Sequence, residues 1–568
     1  MQTGKSTQNQ NMLTRHKFIE LAGKSALALG FGGAMSLVAG GCFANNNNGE
    51  SATGQQSGSA ATASVTGSAD EVVISMPKTC EPSAGFDPFV SWGCGEHVHE
   101  PLIQSTLITT NASMGFENDL ATSYTCSSDG LTWTFNIRSD AYFSNGNKLT
   151  ACDVAYTING IKAYEASECD LTYVESAQAT NDTTCVVRLK KPFNAFLYTL
   201  AVVGIVPDGA HDVNYGTNPI GSGRYMLEQW EVGQQVILKA NPNYYGSAPT
   251  IKRVVVVFMD EAPSLAAAQA KQVDVAYTSC TYANQTVQGY VLNSYSSVDS
   301  RGVSLPTESA GKTKTYRGKT YACGNNVTSD VALRRAINYA TNRSQLINHV
   351  LEGYGSAAYS VAEGMPWASG DMQCEVNAGA AKKLLEDAGW KLNSSSTVRE
   401  KDGLKASFTL YYAATDSVRQ AMAEEFANQM QEVGIEVNPK GTSWDEIYEH
   451  EFSDPVLWGW GTNSPVETYN ILYSGGVCNY SNYSNETVDA HLNDALAKTS
   501  VEDSYDDYKL AMWDGTEGVS PAGAATWVWF ANVAHLYFVA NGLNVSQQKP
   551  HPHGHGWSLL NNVDTWHW

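Results

Sequence analysis

Ser128-Asp129-Gly130-Leu131-Thr132-Trp133-Thr134-Phe135-Asn136-Ile137-Arg138 decides the first half of the fold. Apolar residues occupy positions 131, 133, 135 and 137, and polar ones alternate between them. A strand shows its side chains to opposite faces with a period of two, so this pattern predicts a half-buried strand. Asp129-Gly130 before it and Asn145-Gly146 after it are hairpin turn signals.

Outward from that strand, Glu71–Met76 reads as a short apolar strand, Asp153–Tyr164 as a helix, and Cys185–Lys190 as another strand. Val254–Phe258 is unbroken Val and Phe, which predicts a strand buried on both faces. From Ser329 the texture changes. Asp330 caps a helical pattern that runs to Ala340, and Ala378–Ala388 is a helix stopped by Gly389. Ser417–Val433 is a long amphipathic helix stopped by Gly434. Apolar runs at 408–412 and 435–437 alternate with these helices, as in βαβ units. Residues 527–539, WVWFANVAHLYFV, return to strand texture. The reading is a mixed α/β chain of more than one lobe.

Composition narrows the function. The chain has 568 residues, 43% of them hydrophobic, with a formal charge of −22. That content excludes disorder, and the length exceeds what one core fills. A pI near 4.9 argues against nucleic acid as a partner. Residues 1–41 differ from the rest. Lys5, Arg15, Lys17 and Lys24 outnumber Glu20, and Ser25–Gly41 is a Gly/Ala/Leu run. This is the layout of a secretory signal, too short and Gly-rich to span a bilayer. Removing its net +3 leaves −25. Ala39-Gly40-Gly41-Cys42 resembles a bacterial lipobox, which implies lipidation of Cys42 and a membrane anchor. Thr14–Ile19 resembles a twin-arginine export signal, with His16 at the second arginine. Residues 42–69 are Asn, Gly, Ser, Ala and Thr in the main, and read as a flexible tether. Beyond Cys42 ten cysteines remain. That even number permits disulfides in an exported chain, the alternative being buried free thiols.

Several ordered segments resemble the extracytoplasmic solute-binding proteins of the peptide/nickel type, family 5, which serve ABC importers. They are Asp119–Tyr124 with 128–138, Phe143–Gly146 and Ala151–Val154. Asn218–Tyr225 with Asn241–Gly246, Arg334–Ala340 with Ala378–Trp390, and Trp458-Gly459-Trp460 follow in family order. The resemblance implies a bilobed periplasmic-binding-protein-like fold with a hinge and an inter-lobe cleft. It assigns 70–325 and 526–568 to lobe 1 with its subdomain, and 326–525 to lobe 2. It implies a monomer held outside the cytoplasmic membrane by its lipid, in the periplasm or at the cell surface. Such a protein captures short peptides and delivers them to permease subunits; the alternative solute is nickel, free or chelated.

Candidate contacts follow from motif and chemistry together. Trp458, Trp460 and Tyr469 flank a Gly/Pro turn containing Asn463, and aromatics give large rigid contact areas. The alternative for them is the core. Peptide-binding members carry an Asp just after this Gly-Trp for the peptide ammonium; here Thr462, Asn463 and Ser464 stand there, with Glu467 as a nearby substitute. Trp92, Glu96, His97 and His99 lie on a segment that reaches the cleft in the family. His97 and His99, with His551, His553 and His555 near the C-terminus, are residue types suited to nickel or another transition metal as transported ligand. The alternative is hydrogen-bonded structural histidine. No GxSxG, HExxH or GxGxxG sits in a catalytic context, so an extracellular lipoprotein hydrolase is the different-class alternative. Turnover lost on removing one carboxylate would establish it.

Overall fold

The computed structural model describes residues 69–568 except 95, 96, 165, 166, 168 and 555. The signal, Cys42 and the tether lie outside the described residues.

Three sheets organise the chain. The first has seven strands, in the order Tyr225–Glu231, Gln235–Ala240, Arg253–Phe258, Glu71–Met76, Val275–Thr278, His535–Ala540 and Tyr290–Tyr295. Glu71–Met76 pairs in parallel with both of its neighbours, and His535–Ala540 pairs antiparallel on either side. Both faces are covered, which is why the central strands carry no polar alternation. Val72, Ile74, Val254 and Val256 pack with Trp557 and Trp566 on one face. Val73, Val255 and Val257 pack on Leu265 and Ala268 on the other.

The second sheet is the subdomain, in the order Ala121–Cys126, Thr132–Ile137, Thr184–Leu189 and Val174–Asn181. The opening stretch supplies its second strand, with Trp133, Phe135 and Ile137 buried in one cluster with Val154, Ile158 and Ile161 of helix Ala151–Ala163. Thr150 and Asp153 form a capping box that starts this helix.

The third sheet has six strands, in the order Gly355–Ala357, Trp527–Val533, Ser300–Ser304, Val456–Trp460, Ser407–Ala413 and Glu436–Thr442. Leu333 and Ile337 of helix Val331–Ala340 join Met422, Phe426 and Met430 of helix Ser417–Glu432 over Leu410, Leu457 and Val528. The chain passes from the first sheet to the third between Tyr295 and Ser300, and returns between Val533 and His535. The apolar run 527–539 is therefore two strands in two sheets, separated by Ala534. Among the described residues no helix is long and apolar enough to cross a membrane.

Candidate functional site

The two crossings bring the site together. Strand Val456–Trp460 pairs antiparallel with Ser300–Ser304, so Gly459 stands opposite Arg301 and Trp460 opposite Ser300. Directly paired residues share a face. Gly459 thus leaves the space beside Arg301 open, and two more side chains enter it. A Cβ at Gly459 would lie 2.5 Å from Arg301 Nη1, 2.6 Å from Arg419 Nη2 and closer still to His553 Cε1. Three elements therefore converge on one glycine: a strand of the third sheet, the first turn of helix Ser417–Glu432, and the C-terminal segment.

Asp299, wholly buried on the first crossing, is the anion of this cluster. It accepts from Arg301 through Nη1 and, at 3.2 Å, Nη2. Gly554 N donates to it at 3.4 Å, His535 Nε2 lies 3.3 Å away, and His553 Nδ1 lies against it. Burial alone would raise its pKa; Arg301, then His553, more than offset this and hold it well below the ordinary carboxylate range. Arg419 is different. It pairs with Asp416 at 3.5 Å, and its guanidinium lies over the Trp444 ring at 5.2 Å. Burial, and then the neighbouring Arg301, push its pKa down to about 10.

Four buried polar atoms around this strand end have no hydrogen-bond partner: Arg301 Nε, Arg419 Nε, Trp460 Nε1 and Asn463 Oδ1. Three are donors and one is an acceptor. A buried polar atom left unpaired costs about 1–3 kcal/mol, and four of the unpaired atoms of the described residues fall around this one strand end and loop.

The turn after Trp460 is held by the chain itself. Gly461 has φ +145°, and a Cβ there would run into the Val298 carbonyl. Glu467 turns back on this loop and accepts from Gly461 N at 3.2 Å and Thr462 N at 3.0 Å. Burial raises its pKa to about 7. Asn463 Nδ2 donates to Pro550 O at 3.3 Å, and His553 N to Gly461 O at 2.6 Å.

Of the residues expected from sequence, Trp460, Asn463 and His553 meet here. Trp458 is core: it donates from Nε1 to Ser304 Oγ at 3.0 Å and stacks on Tyr480 at 4.3 Å. Trp92 is also core, 1% exposed between Phe86 and Trp557. Tyr469 turns elsewhere, stacking on Tyr473 and donating to Asn493. His99 is bonded to Ser558 at 3.0 Å, and His551 to His535 at 3.1 Å. Among the described residues no group of three His, Cys, Asp or Glu is placed to hold a metal. The structural alternative thus describes His551, whose two ring nitrogens face His535 and Gln548, and the Nδ1 of His99, which faces Ser558. Glu96 and His555 lie outside the described residues, as does the His97 side chain. Of the cysteines, Cys126, Cys152, Cys185, Cys280, Cys323 and Cys374 are free thiols.

Sequence reasoning passed over Asp299, Arg301 and Arg419. One signal was available for Arg419. It sits in the first turn of its helix, where the macrodipole disfavours a cation. A cation kept there beside a glycine-bearing strand end favours an anion.

A cavity of about 280 Å³ lies elsewhere, beside the first sheet, and is lined by Glu100, Asp119, Arg224, Tyr244 and Lys549 among others. Its charges are already paired. Lys549 donates to Glu100 and to Thr110 O at 3.0 Å, and Arg224 pairs with Asp564 at 2.8 Å. Asp119 accepts from Tyr245.

Comparison with known proteins gives three kinds of likeness. Residues 115–482 match the bacterial extracellular solute-binding proteins, family 5 Middle. Protein XP55 of Streptomyces lividans is 32% identical over 393 residues, 64% of this chain and 67% of that protein. The oligopeptide-binding protein AppA of Bacillus subtilis is 27% identical over 425 residues, 70% of this chain and 75% of that protein. Among solved structures, NikZ from Campylobacter jejuni in complex with Ni(L-His) superposes with a TM-score of 0.72 at 22% identity. It covers 88% of this chain and 100% of that one.

Proposed function

The chain belongs to the bacterial extracellular solute-binding proteins of family 5, and from that premise we propose that it captures short peptides at the Gly459 cluster and hands them to an ABC importer. The single observation carrying this reading is the set of unpaired donors, Arg301 Nε, Arg419 Nε and Trp460 Nε1, around one strand end. They would receive a peptide carboxylate, and charge-assisted hydrogen bonds are the strong ones. The first and third sheets are read as the cores of two lobes, joined at 296–299 and at Ala534.

Binding between lobes works by differential affinity. A solute that touches both lobes only when they close shifts the population to the closed form. The permease then meets a form whose solute is out of water. Asp299 serves this by fixing Arg301 beside the crossing. The same reading places the protein outside the cytoplasmic membrane, tethered by a lipid on Cys42, and gives it no turnover.

A nickel chelate is the second reading. Two buried guanidinium groups suit the carboxylates of a chelator, whereas a bare ion lacks a three-ligand set among the described residues. Mass spectrometry and metal analysis of the purified protein test both. A bound peptide without nickel is the expected result; nickel with a carboxylate chelator would overturn it. Hydrolysis of the peptide would overturn the transport reading altogether.

A further inference from the structure

We infer that Asn194 is a latch between the subdomain and helix Glu486–Ala497, a positioning residue that sets how long a captured solute stays by capping that helix from across a seam. The inference rests on the two-lobe reading above and adds to it a named contact that closure makes and release breaks.

An α-helix ends with carbonyls that have no partner inside it. At the end of helix Glu486–Ala497 they are met from outside. Asn194 N donates to Leu496 O at 3.1 Å, and Asn194 Nδ2 donates to Ala495 O at 2.9 Å and to Ser500 O at 3.1 Å. Asn194 is buried, between strand Thr184–Leu189 of the subdomain and the short helix Phe196–Leu200. Phe193 beside it stacks on Tyr173 at 4.0 Å, which anchors the turn that presents it. The seam around it is aromatic and apolar: Tyr198 meets Trp367 edge-on at 5.9 Å, and Phe193 and Leu496 share one buried cluster.

Such a contact can part without unfolding either side. Among the described residues no strand pairing joins the subdomain sheet to the third sheet, so both sheets stay whole when the seam opens. The carbonyls at the helix end then turn to water, which also satisfies them. The amide is moreover imperfectly matched. Both hydrogens of Nδ2 are used, whereas Asn194 Oδ1 is buried without a partner among the described residues. That atom regains water on opening, which offsets part of what the three bonds contribute. The seam is therefore weakly held by itself, and a solute that touches both lobes adds the rest.

Hydrogen exchange of the full purified chain reads the seam directly, because the Asn194 amide hydrogen makes one of the three bonds. In the free protein this amide is expected to exchange about 100-fold faster than the amides of strand Thr184–Leu189, with intrinsic rates divided out, and saturating tri-alanine is expected to slow it about tenfold. Asn194→Ala is expected to release tri-alanine about tenfold faster in stopped flow, with the association rate and the denaturation midpoint of the free protein unmoved. Asn194→Ser, which keeps one donor, is expected to fall between and reads the same partition should the alanine variant fold poorly. Strand-like protection of Asn194 in the free protein, or variants that lose stability while keeping the wild-type release rate, overturn this inference and leave the peptide reading standing. Failure of tri-alanine to bind the wild type overturns the peptide reading instead. The free-protein exchange then decides the latch alone: fast exchange at Asn194 upholds it, and strand-like protection overturns it.

Discussion

The cavity beside the first sheet and the cluster around Gly459 are both polar, and they differ in how many buried polar atoms lack a partner: one in the cavity wall, Gln104 Oε1, against four at the cluster. In the cavity Lys549 meets Glu100, Arg224 meets Asp564 and Asp119 meets Tyr245. At Gly459 three donors and one acceptor meet nothing. Volume alone would select the cavity. Hydrogen-bond accounting favours the cluster, because four such atoms stand together there, whereas those of Trp92, Trp133 and Gln104 are scattered through the core and the cavity wall.

The sharpest way to break this comparison is Gly459→Ala. The added methyl occupies the place where Arg301, Arg419 and His553 meet. Binding of tri-alanine is expected to disappear, with a stability loss of about 3 kcal/mol from overpacking. Titration and chemical denaturation check the two parts. Retained binding would show that the three groups do not act together.

A crossed pair of variants comes next. Lys549→Met strands Glu100 in the cavity wall, and removing one member of a buried pair costs about 3 kcal/mol. Peptide affinity should stay within about twofold. Arg419→Met removes a buried cation whose ion pair is to the part-exposed Asp416, a carboxylate that water can still reach, so stability should hold or rise by about 1 kcal/mol. Its peptide affinity should fall about 100-fold. The opposite pattern, with Lys549→Met weakening binding and Arg419→Met unfolding the chain, would move the site to the cavity.

How legible this was in the sequence depends on range. The alternation at 131–137 and the Asp330 cap are local, and both elements stand where they were expected. Residues 527–539 are continuous in texture, and the break at Ala534 has no Gly or Pro to announce it. The break exists because two sheets claim the two halves, which is a tertiary cause. Arg419 falls in the helix expected over Ser417–Val433, and nothing local in its sequence announces that it lies beside Arg301 and over the Trp444 ring. His551 and His553 read as metal ligands by type, and their spacing could not show that His535 and Asp299 wait opposite them.

Glu467 sharpens the comparison through pH. Its carboxyl is raised by burial from 4.5 to about 7 in the folded chain. The folded state thus holds a proton that the unfolded state has released, and stability falls as pH rises between those values. The contribution is complete below 4.5 and is lost as pH climbs through about 7, a change of about 3 kcal/mol. Glu467→Gln removes the titration and keeps one acceptor oxygen, so one of Gly461 N and Thr462 N retains its bond. Its stability curve should be flatter between pH 5 and 8, as measured by denaturation at each pH, and its peptide affinity unchanged. A large loss of affinity would mean that Glu467 receives the amino end after all.

His551 tests the C-terminal segment from the other direction. Burial, and then His535, His99 and Lys549, hold its pKa well below the ordinary 6.5. Gln548 Oε1 at 3.3 Å and the Tyr295 ring complete its surroundings. Here the unfolded chain takes up a proton that the folded chain refuses. Stability is complete above 6.5 and is lost as pH falls towards the folded value. His551→Gln should reduce that acid loss, while the broken contact to His535 lowers stability at every pH alike. The two variants thus flatten opposite limbs of one stability curve. Asn463 is held by Pro550, the residue before His551, so acid that loosens this segment should also free the Asn463 amide to turn. Hydrogen exchange at the Gly461–Asn463 amides, compared at pH 7 and pH 5 with the intrinsic rates divided out, reads this directly. Equal protection at both values would separate the histidine from the binding loop.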